Sequence, residues 1–437
     1  LKLDKPINEN YAAVVVEVKA LRELENCDNV QGLSVFGLQA IVDKSVKVGD
    51  IGLFFPAETQ LSEEFAKMNN LHRHTDRNAD PNEKGYFEDN RRVKALRFRG
   101  HASNAFFIPL SALNYLYELV PVKDWAGFHP APGDTFDKIG DHEICRKYVL
   151  KEPGVNRGPS AKIKRVDLKV FPVHIDTDNY WRNSDKIPSD AEVIITQKLH
   201  GTSGRWGKVP VTQDLTWLEK IARKLGVRVA DKQTQLVAGS RMVVKSIDGE
   251  LEEGKNHFYL TDLWSEWGKK LHDLIPDNFI VYGELVGWTS DQTPIQKDYT
   301  YDLEPGQSEL YIYRVAVVTE AGRTVDLSWN QVKEFAFETG LKHVPEFTRV
   351  RHEDFVVDSF IDSRFYDDWS DNEAGSFTDT PVRLSNIKTV DEGVVVRYDG
   401  PQGVYLLKAK SPIFLGHETA MLDAEAVDIE AEEASLA

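Results

Sequence analysis

The chain has 437 residues, 41% hydrophobic and 10% aromatic, which is enough apolar material for two or three domains with real cores. A formal net charge of -17 argues against passive, all-over binding of a polyanion, so any contact with nucleic acid has to come from local basic patches or from a metal. Two distant cysteines, Cys27 and Cys145, give neither a disulfide framework nor a CxxC zinc site, and no apolar run is long enough for a bilayer or a secretory signal; a cytoplasmic protein without membrane contact is expected.

Residues 1–150 read as β-rich. Tyr11 to Lys19, Val35 to Val42 and Ile51 to Phe55 have strand composition, and short strands at this spacing predict a small barrel. From Ser62 to Asn90 the pattern lapses into polar sequence, read as a long inserted loop. Arg91 to Gly100 follows, where Arg92, Lys94, Arg97 and Arg99 alternate with apolar residues. Such a strand tracks a phosphate backbone or is simply a solvated face.

Residues 151–160 are rich in proline and glycine and read as an interdomain linker. The second region is expected to span 161–420, with an acidic tail at 421–437. Its centre is Ile194-Ile195-Thr196-Gln197-Lys198-Leu199-His200-Gly201, an apolar β-branched strand that delivers one lysine to its end, followed by a glycine where the chain can turn against a ligand. A lysine so placed is either a nucleophile or a strand-end residue reaching into water. Beyond it, Leu215 to Val227 and His257 to Leu274 have helical spacing, and Leu236 to Lys245 reads as a strand pair around Arg241. Phe279 to Gly287, Leu310 to Val317, Glu392 to Arg397 and Tyr405 to Lys410 read as strands.

Several of these strands carry a charge in apolar surroundings: Glu284, Arg314, Glu392, Lys408 and Lys410. Buried charge without a partner is costly, so such residues are expected to converge on one another or on a charged ligand. A lysine nucleophile, carboxylates and further lysines suit a nucleoside triphosphate with its metal, and a strand tyrosine suits its base. No Gly-x-x-x-x-Gly-Lys-Ser/Thr or Gly-x-Gly-x-x-Gly signature follows a strand, which counts against P-loop and dinucleotide folds.

Lys198-Leu-His-Gly201, Ser240-Arg241, Gly283-Glu284 to Gly287, Tyr311 to Tyr313, Glu392-Gly393 and Lys408-Ala-Lys410 stand in the order of motifs I, Ia, III, IIIa, IV and V of covalent nucleotidyltransferases. The Lys-x-His-Gly-Thr form of the first motif resembles RNA ligases more than DNA ligases or capping enzymes. With Phe171-Pro to Arg182 and Gly85 to Gly100, nearly the whole chain resembles the fifth family of nick-sealing RNA ligases. The resemblance implies an α+β protein: an N-terminal OB-like β-barrel, then an antiparallel-sheet, ATP-grasp-like ligase domain that adenylylates itself. It implies that Lys198 attacks the α-phosphate of ATP and that Gln197, His200, Gly201, Arg241, Glu284, Tyr313, Lys408 and Lys410 bind the nucleotide. Glu392 would bind Mg2+ or Mn2+, while Arg92, Lys94, Arg97, Arg99 and Arg182 would grip nicked duplex RNA or an RNA/DNA hybrid.

The chain departs from the family pattern at Asp176, where lysine is usual, at Arg314, where aspartate is usual, and at Gln197, where glutamate is common. The segment from Trp206 to Gln235 is longer than the usual link between motifs I and Ia. The expectation is an ATP-dependent RNA ligase acting as a monomer. The rival readings are a non-catalytic RNA- or tRNA-binding OB protein, and a DNA ligase or GTP-dependent capping enzyme.

Overall fold

The computed structural model describes residues 3, 5–120, 129–150, 165–174, 177–213, 215–227, 229–247, 261–319, 321–361 and 377–424. The expected linker at 151–160, Asp176 and the tail beyond 424 lie outside the described residues. The chain forms two compact units: Leu1–Val149 with Asp178–Asp185 and Lys410–Glu425, and Leu150–Thr177 with Lys186–Ala409 and Ala426–Ala437.

The first unit is built on β1 (Ala13–Glu17), β2 (Arg22–Glu23), β3 (Val30–Val35), β4 (Leu38–Asp43), β5 (Ile51–Pro56), β6 (Ala105–Pro109) and β7 (Thr135–Phe136). They pair in the order β7-β1-β5-β6-β4-β3-β2, antiparallel except between β4 and β6. Among the described strands this order is open, with β7 and β2 as its two edges, and the expected closure into an OB barrel is not shown. The run expected as one strand from Val35 to Val42 is a hairpin, since Phe36 and Gly37 both take positive φ (54° and 72°), as a two-residue turn of this hand requires. The expected loop from Ser62 to Asn90 contains α1 (Glu63–Met68), capped by Ser62 through Phe65 N, and its Phe65 is fully buried in the core with Phe55 and Leu61.

The second unit holds two sheets. Strands β8 (Glu192–Lys198), β9 (Thr202–Thr212), β10 (Lys232–Ser240), β11 (Val244–Ile247), β12 (Phe279–Gly287), β13 (Ser308–Val318), β14 (Thr324–Asp326), β15 (Glu346–Arg351), β16 (Gly393–Gly400) and β17 (Gly403–Lys410) supply nearly all of both. One runs β11-β10-β9-β12-β13-β14, antiparallel throughout, with the short pair Lys342–His343 parallel to β13. In the other, β17, β16, β8 and β15 are successive neighbours. Helices α2 (Trp217–Lys224), α3 (Leu263–Leu271) and α4 (Trp329–Thr339) belong to this unit. Trp264 on α3 and Trp329 and Val332 on α4 join Trp206, Val281 and Ile312 of the strands in its main core. Apart from that short parallel pair the sheets of this unit are antiparallel, with helices beside them, so the molecule is α+β.

The last helix, α5 (Pro412–Asp423), belongs with the first unit, although the sequence reading carried the second region on to residue 420. Leu415 packs against Ala57 and Ala95, and Thr419 Oγ1 accepts from Ala95 N at 3.0 Å.

Candidate active site

β8 is buried along Val193–Gln197, so both of its faces are covered, and its buried residues include the polar Thr196 and Gln197. Its last residue, Lys198, pairs across the sheet with Gly393, the first residue of β16. This register sets Glu392 against the lysine: Nζ to Oε2 is 2.8 Å, with the carboxylate 4% exposed and the lysine side chain 22%. His200 Nδ1 lies 3.6 Å from the same carboxylate oxygen.

The turn after Lys198 is fixed from several sides. His200 N donates to the Tyr301 hydroxyl at 2.7 Å, Gln296 Nε2 donates to the Gly201 carbonyl at 2.9 Å, and the His200 ring meets Tyr299 edge-on at 4.6 Å. Gly201 cannot be replaced without a shift, because a Cβ there would stand 2.1 Å from the Leu285 carbonyl oxygen. Gly201 N donates to Glu284 Oε1 and Ser203 Oγ to Glu284 Oε2, both at 3.0 Å, so the strand carboxylate is held by its cross-strand neighbour and by the turn itself.

An open cavity lies beside this turn. Gln197, Lys198, Ser203, Glu284 and Arg397 are among its polar lining; Leu199, Tyr313, Trp329 and Leu406 are among its apolar walls. Tyr313 sits at a β-bulge: Tyr282 pairs with Arg314 and Gly283 with Ile312, leaving Tyr313 as the extra residue. A bulge re-aims a side chain, and here it accompanies a tyrosine on the cavity wall, edge-on to His174 at 5.6 Å.

Of the residues singled out in the sequence, Gln197, Lys198, Glu284 and Tyr313 line this cavity, and His200, Gly201 and Glu392 are tied to them directly. Gln197 has its carboxamide engaged with one backbone unit, donating to Val382 O at 3.0 Å and accepting from Val382 N at 2.8 Å. Arg241 stands in the turn between β10 and β11, where its carbonyl accepts from His174 N at 3.0 Å. Lys408 follows Leu406 by two residues on β17 and shares its face. Lys410 donates to Glu418 Oε1 and Oε2 at 3.0 and 3.2 Å.

The basic run of the first unit divides. Arg92 is 3% exposed; its guanidinium faces Glu58 and donates to Thr419 O and Asp423 Oδ1, while Lys94 bonds to Glu88 and Asp423. Arg97 and Arg99 are exposed, on the short hairpin Leu96–Phe98 and His101–Ser103 and at its turn. Arg182 donates to Glu9 O and to Thr135 Oγ1, over the Phe36 ring. Phe171 is fully buried beneath the guanidinium of Arg205 at 4.7 Å. Arg314, where the family pattern has aspartate, makes a two-point pair with Asp326 on β14 (2.7 and 3.2 Å) and covers the Tyr282 ring at 4.5 Å.

Sequence reasoning missed Arg397. Buried on β16, it donates to Asp399 Oδ1 at 2.7 Å, to Leu327 O at 2.7 Å and to Tyr313 O at 3.2 Å, so it anchors the backbone of the bulged tyrosine. Burial pushes its pKa down, with Asp399 opposing. Its guanidinium covers Trp329, whose indole N–H donates to Glu346 Oε2 at 2.7 Å. Burial would raise the Glu346 carboxyl, but Arg349, Trp329 and Lys333 together hold it at about 2. The signal was present: Arg397 is a charge in an apolar strand, as Glu284 is.

Among the described residues no three His, Cys, Asp or Glu side chains converge as a metal site, and no helix is long and apolar enough to cross a membrane. Both cysteines are buried free thiols.

A family model described as RNA ligase matches residues 191–410. No curated protein matches the chain. Among solved structures, Naegleria gruberi RNA ligase with PPi is 14% identical with a TM-score of 0.57, over 94% of this chain and 98% of that one. A variant of the same ligase with ATP and Mn is 15% identical with a TM-score of 0.58, over 94% and 100%. A further variant with AMP and Mn is 14% identical with a TM-score of 0.55, over 92% and 97%. At these identities the likeness is one of fold.

Proposed function

Because this chain belongs to the RNA ligase family, we propose that it joins the 3′-hydroxyl and 5′-phosphate of nicked RNA, using ATP and a lysyl-AMP intermediate on Lys198. The observation that carries this reading is Lys198 at the end of β8, on the wall of an open cavity and 2.8 Å from a buried glutamate. The lysine ammonium gives up a proton, for which Glu392 is the nearest acceptor, and its nitrogen attacks the α-phosphorus of ATP. An N–P bond forms, the bond from the α-phosphorus to the bridging oxygen breaks, and pyrophosphate leaves. AMP then passes to the RNA 5′-phosphate, breaking the N–P bond and freeing the lysine. The neighbouring 3′-hydroxyl attacks that phosphate and expels AMP.

In this reading Tyr313 stacks on adenine, while Glu284, already placed by Gly201 and Ser203, accepts from the ribose. Gln197, His200 and Gly201 shape the turn around the base and lysine, Arg241 contacts ribose or nick, and Lys408 and Lys410 balance charge on the α-phosphate. Mg2+ or Mn2+ would neutralise the triphosphate. Glu392, whose carboxylate offers only acceptor oxygens, is the residue that would hold it, and one carboxylate plus phosphate oxygens is an ordinary magnesium set.

Nucleic acid is assigned to the first unit, with Arg97 and Arg99 as the exposed basic residues that fit a phosphate backbone. Arg92, Lys94 and Arg182 are instead engaged within the unit, with Asp423, Glu88 and Thr135 respectively. The OB-like character of that unit, monomeric state and cytoplasmic location remain part of the proposal.

Two assays test it. Label transfer from α-labelled ATP but not GTP separates this enzyme from a capping enzyme. Four nicked duplexes, RNA or DNA on each side, are expected to seal well wherever the 3′-hydroxyl end is RNA, since that side is read through its 2′-hydroxyls and A-form shape. Equal rates on all four, or preference for a DNA 3′ end, would overturn the RNA-nick assignment.

A further inference from the structure

Lys410 closes β17, and the next residue, Ser411, caps α5 through Ile413 N at 3.1 Å. One turn and a half into that helix, Glu418 grips the Lys410 ammonium with both carboxylate oxygens, and the Phe414 ring lies beneath it at 5.1 Å. The helix is itself held firmly. Glu58, in the turn after β5 and 2% exposed, accepts from Thr419 Oγ1 at 2.7 Å, and Arg92 bonds the Thr419 carbonyl at 2.9 Å and Asp423 at 3.1 Å. Leu415 packs on Ala57 and Ala95.

The charges in this cluster are matched. Burial, then the charge of Glu418, pushes the Glu58 carboxyl up to about 7, so that over the acid side of neutrality it carries its proton. Glu88, Glu418 and Asp423 then face Arg92, Lys94 and Lys410, acid for cation. An ammonium on a four-carbon stem has many rotamers, and its charge helps a transferring phosphoryl group only when it is held in place.

We propose that Glu418 is a positioning residue for Lys410, fixing its ammonium for AMP transfer, and that the contacts of α5 with Glu58 and Arg92 fix Glu418 in turn. The proposal rests on the reading in which Lys410 balances charge on the α-phosphate. An ammonium has three donors, so one carboxylate and one phosphate oxygen together are within its capacity.

The test measures single-turnover AMP labelling of the full chain against ATP concentration for wild type, Glu418→Ala, Glu418→Gln, Lys410→Ala and the double variant Glu418→Ala/Lys410→Ala, with melting curves for each. Glu418→Ala is expected to lower the maximal rate roughly ten-fold while the ATP concentration for half-maximal rate stays within about two-fold. Glu418→Gln, which keeps one acceptor oxygen, falls between, and the double variant is no slower than Lys410→Ala. A wild-type rate in Glu418→Ala alongside a slow Lys410→Ala overturns the positioning role alone. Equal slowing by Glu418→Ala with or without Lys410 overturns it as well, since the effect then bypasses the lysine. A wild-type rate in Lys410→Ala overturns the underlying assignment of Lys410, and the positioning role with it. Should Glu418→Ala fail to fold, Glu418→Gln carries the same comparison.

Discussion

Replacing Glu58 by glutamine keeps the shape of the side chain and removes its titration. The ordinary glutamate value is 4.5, and burial with the neighbouring Glu418 raises it to about 7 in the folded protein. The folded state therefore prefers the protonated acid. Its stabilising contribution is complete below the unfolded value and is lost as pH rises from there through the folded one. A difference of that size corresponds to roughly 3 kcal/mol, or about 10² in an opening equilibrium. The cost of ionisation comes from burial and from repulsion between Glu58 and Glu418 on α5, and so falls on the docking of α5. Hydrogen exchange of the α5 amides, corrected for the intrinsic pH dependence of exchange, reads this locally. In wild type, protection of Leu415 to Leu422 is expected to fall by about two orders of magnitude between pH 4.5 and 7.5 relative to Glu58→Gln. Parallel curves for the two proteins would refute the reasoning, since Glu58 would then titrate alike in the folded and opened states.

Gly201→Ala places a Cβ against the Leu285 carbonyl and is expected to reduce AMP labelling by at least roughly 10² while the melting temperature changes little; unchanged labelling would mean that the turn adapts. Arg314→Ala leaves Asp326 half-buried without its partner and is expected to cost about 3 kcal/mol in urea unfolding, whereas the double replacement Arg314→Met/Asp326→Leu recovers most of it. Neutralising Arg97 and Arg99 is expected to flatten the salt dependence of nick binding by roughly one unit of log–log slope per lost phosphate contact, without changing AMP labelling. Neutralising Arg92 instead is expected to loosen α5, visible as faster exchange there, because its guanidinium lies inside the fold.

The parts of this protein legible in its sequence are those set by neighbours along the chain. Phe279–Gly287 was readable to the residue because its apolar run has turns at both ends, and Lys198 stood out because a charge ends an apolar strand before a glycine. What covers a strand is not local information. Arg92 and Lys94 alternate with apolar residues as a phosphate-binding strand would, yet their partners Thr419 and Asp423 lie more than 300 residues further on. The Ser62 cap followed by two glutamates and Phe65 was a visible helix start that the surrounding polar residues obscured. The turn at Phe36-Gly37 was hidden because phenylalanine is an unusual residue at positive φ. Barrel or open sheet was likewise beyond reach, since pairing of the edge strands depends on register between distant segments. The bulge that presents Tyr313 comes from a register shift between β12 and β13, which leaves no mark in composition.

The central claim is that the amine of Lys198 becomes covalently joined to AMP. The direct measurement is incubation of the full chain with ATP and Mg2+ or Mn2+, followed by mass analysis of the intact protein and of its peptides. The account predicts one adenylate per chain, acid-labile as a phosphoramidate, on the peptide carrying Lys198, and none in a folded Lys198→Ala protein. An adenylate on another residue, or undiminished labelling of Lys198→Ala, would contradict it.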